Sequence, residues 1–323
     1  MDRGDEAVRR ALKWLAALVA VLLVALLLLR TPDTDRKAMI AKYGAPPSQF
    51  VELRPGLTVH FRDEGPRDAP VIVLLHGSNA DLHTWDAWTA ALTDRYRVVR
   101  FDQIGHGLTG PEPRGDYSPQ AFDDTIERLA ARLGLHKFTL AGNSMGGGIA
   151  IHYALGHPDR LTALVLIDSG GAPPFGKQPG NIGFTLARMP LFRDLMLHVT
   201  PRVLVKQSVE QSVHNQAVAN PAAVDRYWEL LRYPGNRQAT LDRFGYGWTT
   251  FTRNDLTALK LPVLIMWGKH DRIVSPKAGR WLHDGISGSK LITYQIAGHI
   301  PMEEAAAQSV GDLRGWLAEL KPG

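Results

Sequence analysis

The sequence predicts an α/β fold, with a mostly parallel central sheet flanked by helices, an inserted helical cap and an N-terminal transmembrane helix. Three observations predict it. Short apolar runs alternate with longer helix-like stretches after residue 48, about ninety residues between Ser169 and Leu261 contain no convincing strand, and residues 11–29 are almost entirely apolar. Such alternation is typical of βαβ units, in which helices cover both faces of a parallel sheet.

The N-terminal run ALKWLAALVAVLLVALLLL, residues 11–29, carries a single charge at Lys13. At 1.5 Å per residue it extends roughly 28 Å, about the hydrocarbon thickness of a bilayer. No small-x-small cleavage site follows Arg30, so residues 1–30 are interpreted as an uncleaved signal-anchor, with a cleaved signal peptide as the alternative. We expect a single-pass membrane protein whose body lies outside the cytoplasm.

Composition excludes several classes of protein. The chain has 323 residues, of which 45% are hydrophobic, and its formal net charge is +5. Residues 1–43 contribute eight Lys/Arg and five Asp/Glu, a net of +3, which leaves +2 for the remainder. The body therefore lacks the basic stripe of a nucleic-acid-binding protein. The absence of cysteine excludes disulfides, thiolate metal sites and a cysteine nucleophile.

Residues 31–47 are interpreted as a linker, and residues 48–170 and 261–323 as the two parts of the core domain. The segment QFVELRPGLTVHFRDEG predicts a hairpin. The strands predicted after it are VIVLLH (71–76), YRVVRFD (96–102), FTLAGNS (138–144), ALVLIDS (163–169), VLIMWG (263–268) and LITYQIAG (291–298). The cap is predicted over residues 171–260, with helix-like pieces at 184–199, 201–214 and 222–233, because a structureless loop of that length is implausible.

The motif Gly142-Asn143-Ser144-Met145-Gly146 lies between a predicted strand and a predicted helix. A G-x-S-x-G pattern alone is weak evidence, and a structural βα turn is the alternative. The strand–turn–helix context is that of a nucleophile elbow, a strained turn that projects a serine hydroxyl from the sheet edge. The sequence therefore predicts Ser144 as a nucleophile.

A serine nucleophile needs a base, and the base needs an acid that orients it. His299 follows the last predicted strand and is predicted as the base. Asp271 and Asp168 both follow strands and both satisfy the order Ser…Asp…His. We prefer Asp271, because it lies just beyond its strand end, where a loop can reach the histidine.

Other titratable residues are given non-catalytic roles. His76 and His106 each precede a glycine early in the chain and are expected to shape loops beside the site. His152 lies within a predicted helix and is expected to pack, and Asp102 is assigned to loop structure.

Acyl transfer also requires donors for the oxyanion. One is predicted to be the backbone N–H of Met145, directly after the nucleophile. The other is expected from the loop after VIVLLHG, at Ser78 with Asn79 as the alternative. An ordinary polar turn is the competing interpretation of these two loop residues.

From about residue 48 onwards the chain resembles the α/β-hydrolase superfamily. The segments LLHGSN, FDQIGHGLTG, GNSMGG, WGKHDRIVSP and AGHIPMEE occur in the family's order. The sequence is similar to bacterial serine esterases and lipases and, less closely, to meta-cleavage-product hydrolases. It departs from the latter group at residues 78–81 and at Ile300, where that group tends to have a Gly-Pro-Gly turn and an aromatic residue.

The resemblance implies hydrolysis of a carboxylic ester through an acyl-enzyme, with a small-molecule ester as substrate and with no cofactor or metal. Carbon–carbon hydrolysis is the main alternative, followed by amide, lactone or peroxide chemistry and by a non-catalytic, ligand-binding member of the fold. Many apolar side chains in the cap lead us to expect an apolar acyl pocket there. Ordinary packing within the cap is the alternative explanation for the same side chains. These are Phe184, Leu186, Leu191, Phe192, Leu195, Met196, Leu197 and Trp228.

Overall fold

The computed structural model describes residues 2–175, 185, 189–247 and 250–320. Eight strands form one sheet in the order β1-β2-β4-β3-β5-β6-β7-β8. The strands are β1 Gln49–Arg54, β2 Leu57–Glu64, β3 Val71–Leu75, β4 Arg97–Phe101, β5 Phe138–Asn143, β6 Leu161–Ile167, β7 Val263–Gly268 and β8 Lys290–Tyr294.

Helices flank this sheet and fill the interval between β6 and β7. They are α1 Asp2–Leu29, α2 Arg36–Tyr43, α3 Asp86–Leu92, α4 Pro119–Leu133, α5 Met145–Gly156, α6 Pro190–Met196, α7 Arg202–Ser212, α8 Pro221–Leu231, α9 Asn236–Tyr246, α10 Arg253–Ala258, α11 Pro276–Gly285, α12 Pro301–Glu304 and α13 Ala306–Glu319. The predicted α/β class is confirmed.

The sheet is mostly parallel, as predicted. The hairpin β1–β2 and the pair β2–β4 are antiparallel, and every later pairing is parallel. Strand β5 lies in the middle, between β3 and β6, and all six of its residues are buried. Because parallel strands end at the same edge, the segments that follow β3, β5, β6, β7 and β8 meet there.

Both faces of the sheet are covered by apolar side chains. On β3, Val73 and Leu75 belong to one buried cluster, and Ile72 and Leu74 belong to another. Alternate residues of a strand point to opposite faces, so each cluster lies on its own side. This two-sided burial explains the continuous Val, Ile and Leu runs from which the strands were predicted.

Between β6 and β7 the described residues form the five helices α6–α10 and no strand. Helices α6, α7 and α8 overlap the three predicted helical pieces. Helices α9 and α10 were not anticipated, although Thr252 and Asp255 form a capping box at the start of α10. The sequence signal for α10 was therefore present but not used.

The N-terminal segment forms α1, and every side chain of this helix whose burial is described is exposed to solvent, including Trp14 at 77% and Leu28 at 79%. The predicted transmembrane helix is not found: in residues 2–175, 185, 189–247 and 250–320, no helix combines the length and apolarity needed to cross a bilayer.

The segment expected as a linker, residues 31–47, contains α2 and is hydrogen-bonded to the cap. Thr31 donates its backbone N–H to the carbonyl oxygen of His198 at 2.8 Å, and Thr34 donates its own to that of Arg232 at 2.9 Å. The end of α1 is thus connected to the cap helices.

Candidate active site

Ser144 lies between the last residue of β5 and the first residue of α5. Its backbone has φ 54° and ψ −116°, an unfavourable conformation for a residue with a side chain, at a cost of about 1–3 kcal/mol. The turn is held by backbone bonds: the N–H of Ser144 donates to Ile167 at 3.0 Å, and its carbonyl oxygen accepts from Gly170 at 2.8 Å. The surrounding structure therefore fixes the strained turn.

The two glycines of the motif are required by close backbone approach. A Cβ atom on Gly142 would lie 2.2 Å from the carbonyl oxygen of Gly146, and one on Gly146 would lie 2.4 Å from that of Leu75. Neither neighbour is a flexible side chain that can move aside. This turn therefore requires glycine at both positions of the G-x-S-x-G pattern.

His299 follows β8, and its imidazole is paired with a carboxylate. Its Nδ1 lies 2.8 Å from Oδ2 of Asp271, and both residues are buried. The other oxygen of Asp271, Oδ1, accepts the backbone N–H groups of Ile273 at 2.7 Å and Val274 at 3.0 Å. This pairing fixes the ring orientation and favours the tautomer with the proton on Nδ1, which leaves Nε2 free to accept a proton.

Asn143, which sequence reasoning passed over, connects the nucleophile turn to the histidine loop. Its Nδ2 donates to the carbonyl oxygen of His299 at 3.0 Å and to that of Ile167 at 3.1 Å. The residue is 2% exposed. Its position inside the serine motif, directly before Ser144, was the signal that could have identified it.

Asp168, the second acid predicted from sequence, lies close to Asp271 and His299. One carboxylate oxygen each from Asp168 and Asp271 and one imidazole nitrogen of His299 lie within 4.8 Å of one another. A tetrahedral zinc would hold two such ligands roughly 3.3 Å apart. The 2.8 Å between Asp271 and His299 is instead a hydrogen-bond distance. The Asp271–His299 pair therefore has the spacing of hydrogen-bonded groups and not that of two ligands of one metal ion.

The two predicted oxyanion donors belong to segments that adjoin the serine. Met145 is the first residue of α5, where free N–H groups and the helix dipole favour negative charge. Ser78 is in the turn after β3 and lines the same cavity as Ser144.

The cap holds the loop that carries Ser78. The side-chain oxygen of Asn79 accepts from Oγ1 of Thr240 and from Nη2 of Arg243, both at 3.1 Å, and Asn79 itself has φ 60°. Both donors belong to α9. The cap therefore fixes the conformation of the loop beside the serine.

The remaining titratable residues of the region have structural partners. The Nδ1 of His76 lies 2.8 Å from the carbonyl oxygen of Gly77, and its Nε2 accepts the backbone N–H of Gln103 at 3.0 Å. Burial lowers the pKa of His76 and holds that of His106 well below its ordinary value. His152 is 2.8 Å from Asp123, and Asp102 accepts two loop N–H groups.

Ser144 and His299 open into one cavity of about 1170 Å³, including its mouth. The cap supplies most of its wall. The lining residues with large, wholly apolar side chains are Met196, Val199, Leu204, Val205, Val209, Leu231, Leu241, Phe244, Ile273 and Ile300. Of the residues expected to form an acyl pocket, Met196 lines the cavity. The expectation is wrong for Phe192, Leu195, Leu197 and Trp228, which are not among its lining residues, and Phe184 and Leu186 fall outside the described residues. A mainly apolar cavity over a buried serine and histidine suits an apolar substrate group.

A partly buried ion network connects the cap to the loops of the site. Nε of Arg226 on α8 lies 3.2 Å from Oδ2 of Asp81, and its Nη2 lies 3.6 Å from Oε2 of Glu303. Asp81 follows the Ser78 loop, and Glu303 follows His299. One cap side chain thus bridges the two loops that flank the serine.

Comparison with known proteins agrees with this architecture. The chain is similar to 2-hydroxy-6-oxononadienedioate/2-hydroxy-6-oxononatrienedioate hydrolase 2 of Pseudomonas putida, with 29% identity over 270 residues that cover 78% of this chain and 90% of that protein. A solved meta-cleavage product hydrolase from Pseudomonas fluorescens superposes with a TM-score of 0.73 at 20% identity, over 84% of this chain and 97% of its own.

A solved membrane phospholipase A, described as a bacterial virulence factor, also has a TM-score of 0.73. It is 23% identical and covers 96% of this chain and 98% of its own. Identities this low show a common fold. Residues 70–306, more than half of the chain, match the family described as alpha/beta hydrolase fold. The chain therefore belongs to the α/β hydrolase fold family.

Proposed function

We propose that this α/β hydrolase is a serine hydrolase that cleaves carboxylic esters through an acyl-enzyme. One observation carries the proposal: a serine on a strained strand–helix turn shares an apolar cavity with a histidine whose Nδ1 is bonded to a buried carboxylate. That combination is what activating a hydroxyl nucleophile requires.

In the proposed mechanism, Nε2 of His299 takes the hydroxyl proton as Oγ of Ser144 attacks the ester carbonyl carbon. The backbone N–H groups of Met145 and Ser78 stabilise the oxyanion. His299 then gives its proton to the departing alcohol oxygen, and water, deprotonated by the same imidazole, releases the acid. Asp271 keeps the imidazole in the required tautomer and stabilises the imidazolium.

Carbon–carbon hydrolysis of a dienedioate, the reaction named for the Pseudomonas putida relative, is the second candidate. A dienedioate carries two carboxylates and needs cationic partners in its pocket. Among the described lining residues of the cavity, Arg237 is the sole lysine or arginine, and its Nη2 already donates to Asp33 at 2.6 Å. This favours an uncharged ester.

The test is a series of p-nitrophenyl esters from acetate to palmitate, run beside a 2-hydroxy-6-oxo-dienoic acid. Each buried methylene contributes about 0.8 kcal/mol, or about fourfold. We expect kcat/KM to rise on the order of tenfold from acetate to butyrate, because the acyl chain enters an apolar cavity. Turnover of the dienoic acid without ester hydrolysis would replace the ester proposal with the carbon–carbon reaction.

We also propose that α1 associates the protein with a membrane. The support is its exposed apolar surface, together with Lys13 and Trp14, residue types suited to the lipid–water interface. Deleting residues 1–30 is expected to abolish co-sedimentation with phosphatidylglycerol/phosphatidylethanolamine vesicles. It should leave kcat/KM on a soluble ester within about twofold, because the described α1 side chains contribute no buried contact. An inactive truncation, with the full-length chain active in detergent, would contradict this.

A further inference from the structure

Asp168 is a buried acid that the proposed mechanism does not use. It follows β6, has φ 43° and is fully buried. Its Oδ1 accepts the backbone N–H of Gly268 at 2.9 Å. Its Oδ2 has no hydrogen-bond donor among the described residues. An orphaned carboxylate oxygen in a dry interior is costly unless it carries a proton of its own.

Another acid lies close to Asp168. Asp271 lies against it, with one oxygen of each and a nitrogen of His299 within 4.8 Å of one another. Two carboxylates sharing a buried site do not both ionise, so one of them holds a proton. Asp271 accepts three N–H groups, from Ile273, Val274 and the imidazole, whereas Asp168 accepts one. The negative charge therefore belongs on Asp271 and the proton on Asp168.

The other titratable groups around Asp168 support this assignment. Glu304 and Tyr294 face it from α12 and β8, and neither supplies a positive charge. Burial first, and the charge of Asp271 second, raise the pKa of Asp168 well above its ordinary value. The neutral tautomer of His299 directs its one N–H towards Asp271.

We propose that Asp168 is a positioning residue that remains protonated and donates a hydrogen bond from its carboxyl O–H to Asp271. The bond holds the Asp271 carboxylate against the imidazole and lowers its basicity. The basicity of His299 is thereby set by an acid that never touches the substrate. The proton stays on Asp168 throughout turnover. The catalytic consequence rests on the proposed serine mechanism, whereas the proton location does not.

The pKa of the His299 imidazole reports this bond without any substrate. It is measured by NMR titration of the full chain, with the resonance assigned by its absence in His299→Gln. In Asp168→Ala the donor is lost, Asp271 becomes more basic, and the His299 pKa rises by about half to one pH unit. In Asp168→Asn the amide donates in place of the O–H, so the His299 pKa stays close to that of the wild type.

An ionised Asp168 predicts the opposite result. Removing a negative charge would then lower the His299 pKa in both variants, and this outcome would overturn the proposal. An unchanged pKa in both variants would overturn it too, by reducing Asp168 to a structural role. If Asp168→Ala fails to fold, the infrared difference spectrum between wild type and Asp168→Asn decides. A protonated carboxyl band at neutral pH supports the proposal, and its absence refutes it.

Thermal unfolding provides a second check with a definite sign. If the pKa of Asp168 is higher in the folded chain than in the unfolded chain, the folded chain holds a proton that unfolding releases. The free energy of unfolding then falls as pH rises above about 4, the ordinary pKa of an aspartate. Asparagine does not titrate. The Tm of Asp168→Asn relative to wild type should therefore increase between pH 5 and pH 8, and a constant difference would count against the proposal. Neither titration needs a substrate. If the protein hydrolyses no ester but both titrations behave as expected, the proposed function fails and the inference about Asp168 stands.

Discussion

Ser144→Ala is expected to lower kcat for ester hydrolysis by a factor on the order of 10⁵–10⁶, the range found when a nucleophile is removed from a serine enzyme. Alanine has no oxygen to form the acyl-enzyme, and water is not positioned to replace it. The residual rate is measured with a p-nitrophenyl ester, and labelling with a fluorophosphonate counts the reactive serines. We expect one labelled serine in wild type and none in the variant.

The fold should survive the change, because the turn at residue 144 is held by backbone hydrogen bonds that alanine also makes. Ser287→Ala, at an exposed position between α11 and β8, is the matched control and should retain wild-type activity. Ester hydrolysis that persists in Ser144→Ala would rule out the proposed nucleophile.

Asp271→Asn is expected to reduce kcat by about 10⁴-fold while leaving the fold intact. Two backbone N–H groups, from Ile273 and Val274, point at Oδ1 of Asp271. They will hold the amide oxygen of asparagine in that place and turn its NH₂ group towards His299. An N–H facing Nδ1 stabilises the tautomer with the proton on Nε2, which cannot accept a proton from Ser144.

The measurements are kcat and the rate of fluorophosphonate labelling, which should fall together because both need an activated serine. Asp284→Asn makes the same chemical change at an exposed position of α11 and serves as the control. Labelling at the wild-type rate in Asp271→Asn would refute the role proposed for this acid.

The fold was predictable because its signals are local. Continuous Val, Ile and Leu runs predicted the strands, and two-sided burial of β3 and β5 is the physical reason for those runs. The serine motif was recognisable because the close backbone approaches that require its glycines, one within the turn and one to Leu75 at the end of β3, leave a fixed local sequence pattern. The N-terminal segment shows the limit of such reasoning: its sequence predicts a helix, and α1 is one, but the predicted transmembrane span is not found.

The parts of the site that sequence could not supply depend on contacts between distant residues. Asp168 and Asp271 satisfied the same sequence order, and they were treated as alternatives. Strands β6 and β7 pair in parallel, with Ile167 opposite Met266, so both strands end at the same place. The two acids that follow them therefore lie beside one histidine. Two contacts of the cap are also long-range. Arg243 donates a hydrogen bond to Asn79, and Arg226 forms an ion pair with Asp81, and both contacts depend on how the cap packs over the sheet.

The crowded backbone around the elbow has an evolutionary consequence. A change at Gly142 or Gly146 adds atoms where carbonyl oxygens already lie, so selection for a folded chain preserves both glycines whether or not catalysis is useful. The hydroxyl of Ser144 carries no such constraint, since this residue holds the turn through its backbone N–H and carbonyl groups. A lineage that no longer needs the reaction can lose the hydroxyl in one step and keep the architecture. Descendants that only bind ligands would then keep glycine at the positions of Gly142 and Gly146 and have another residue at the position of Ser144.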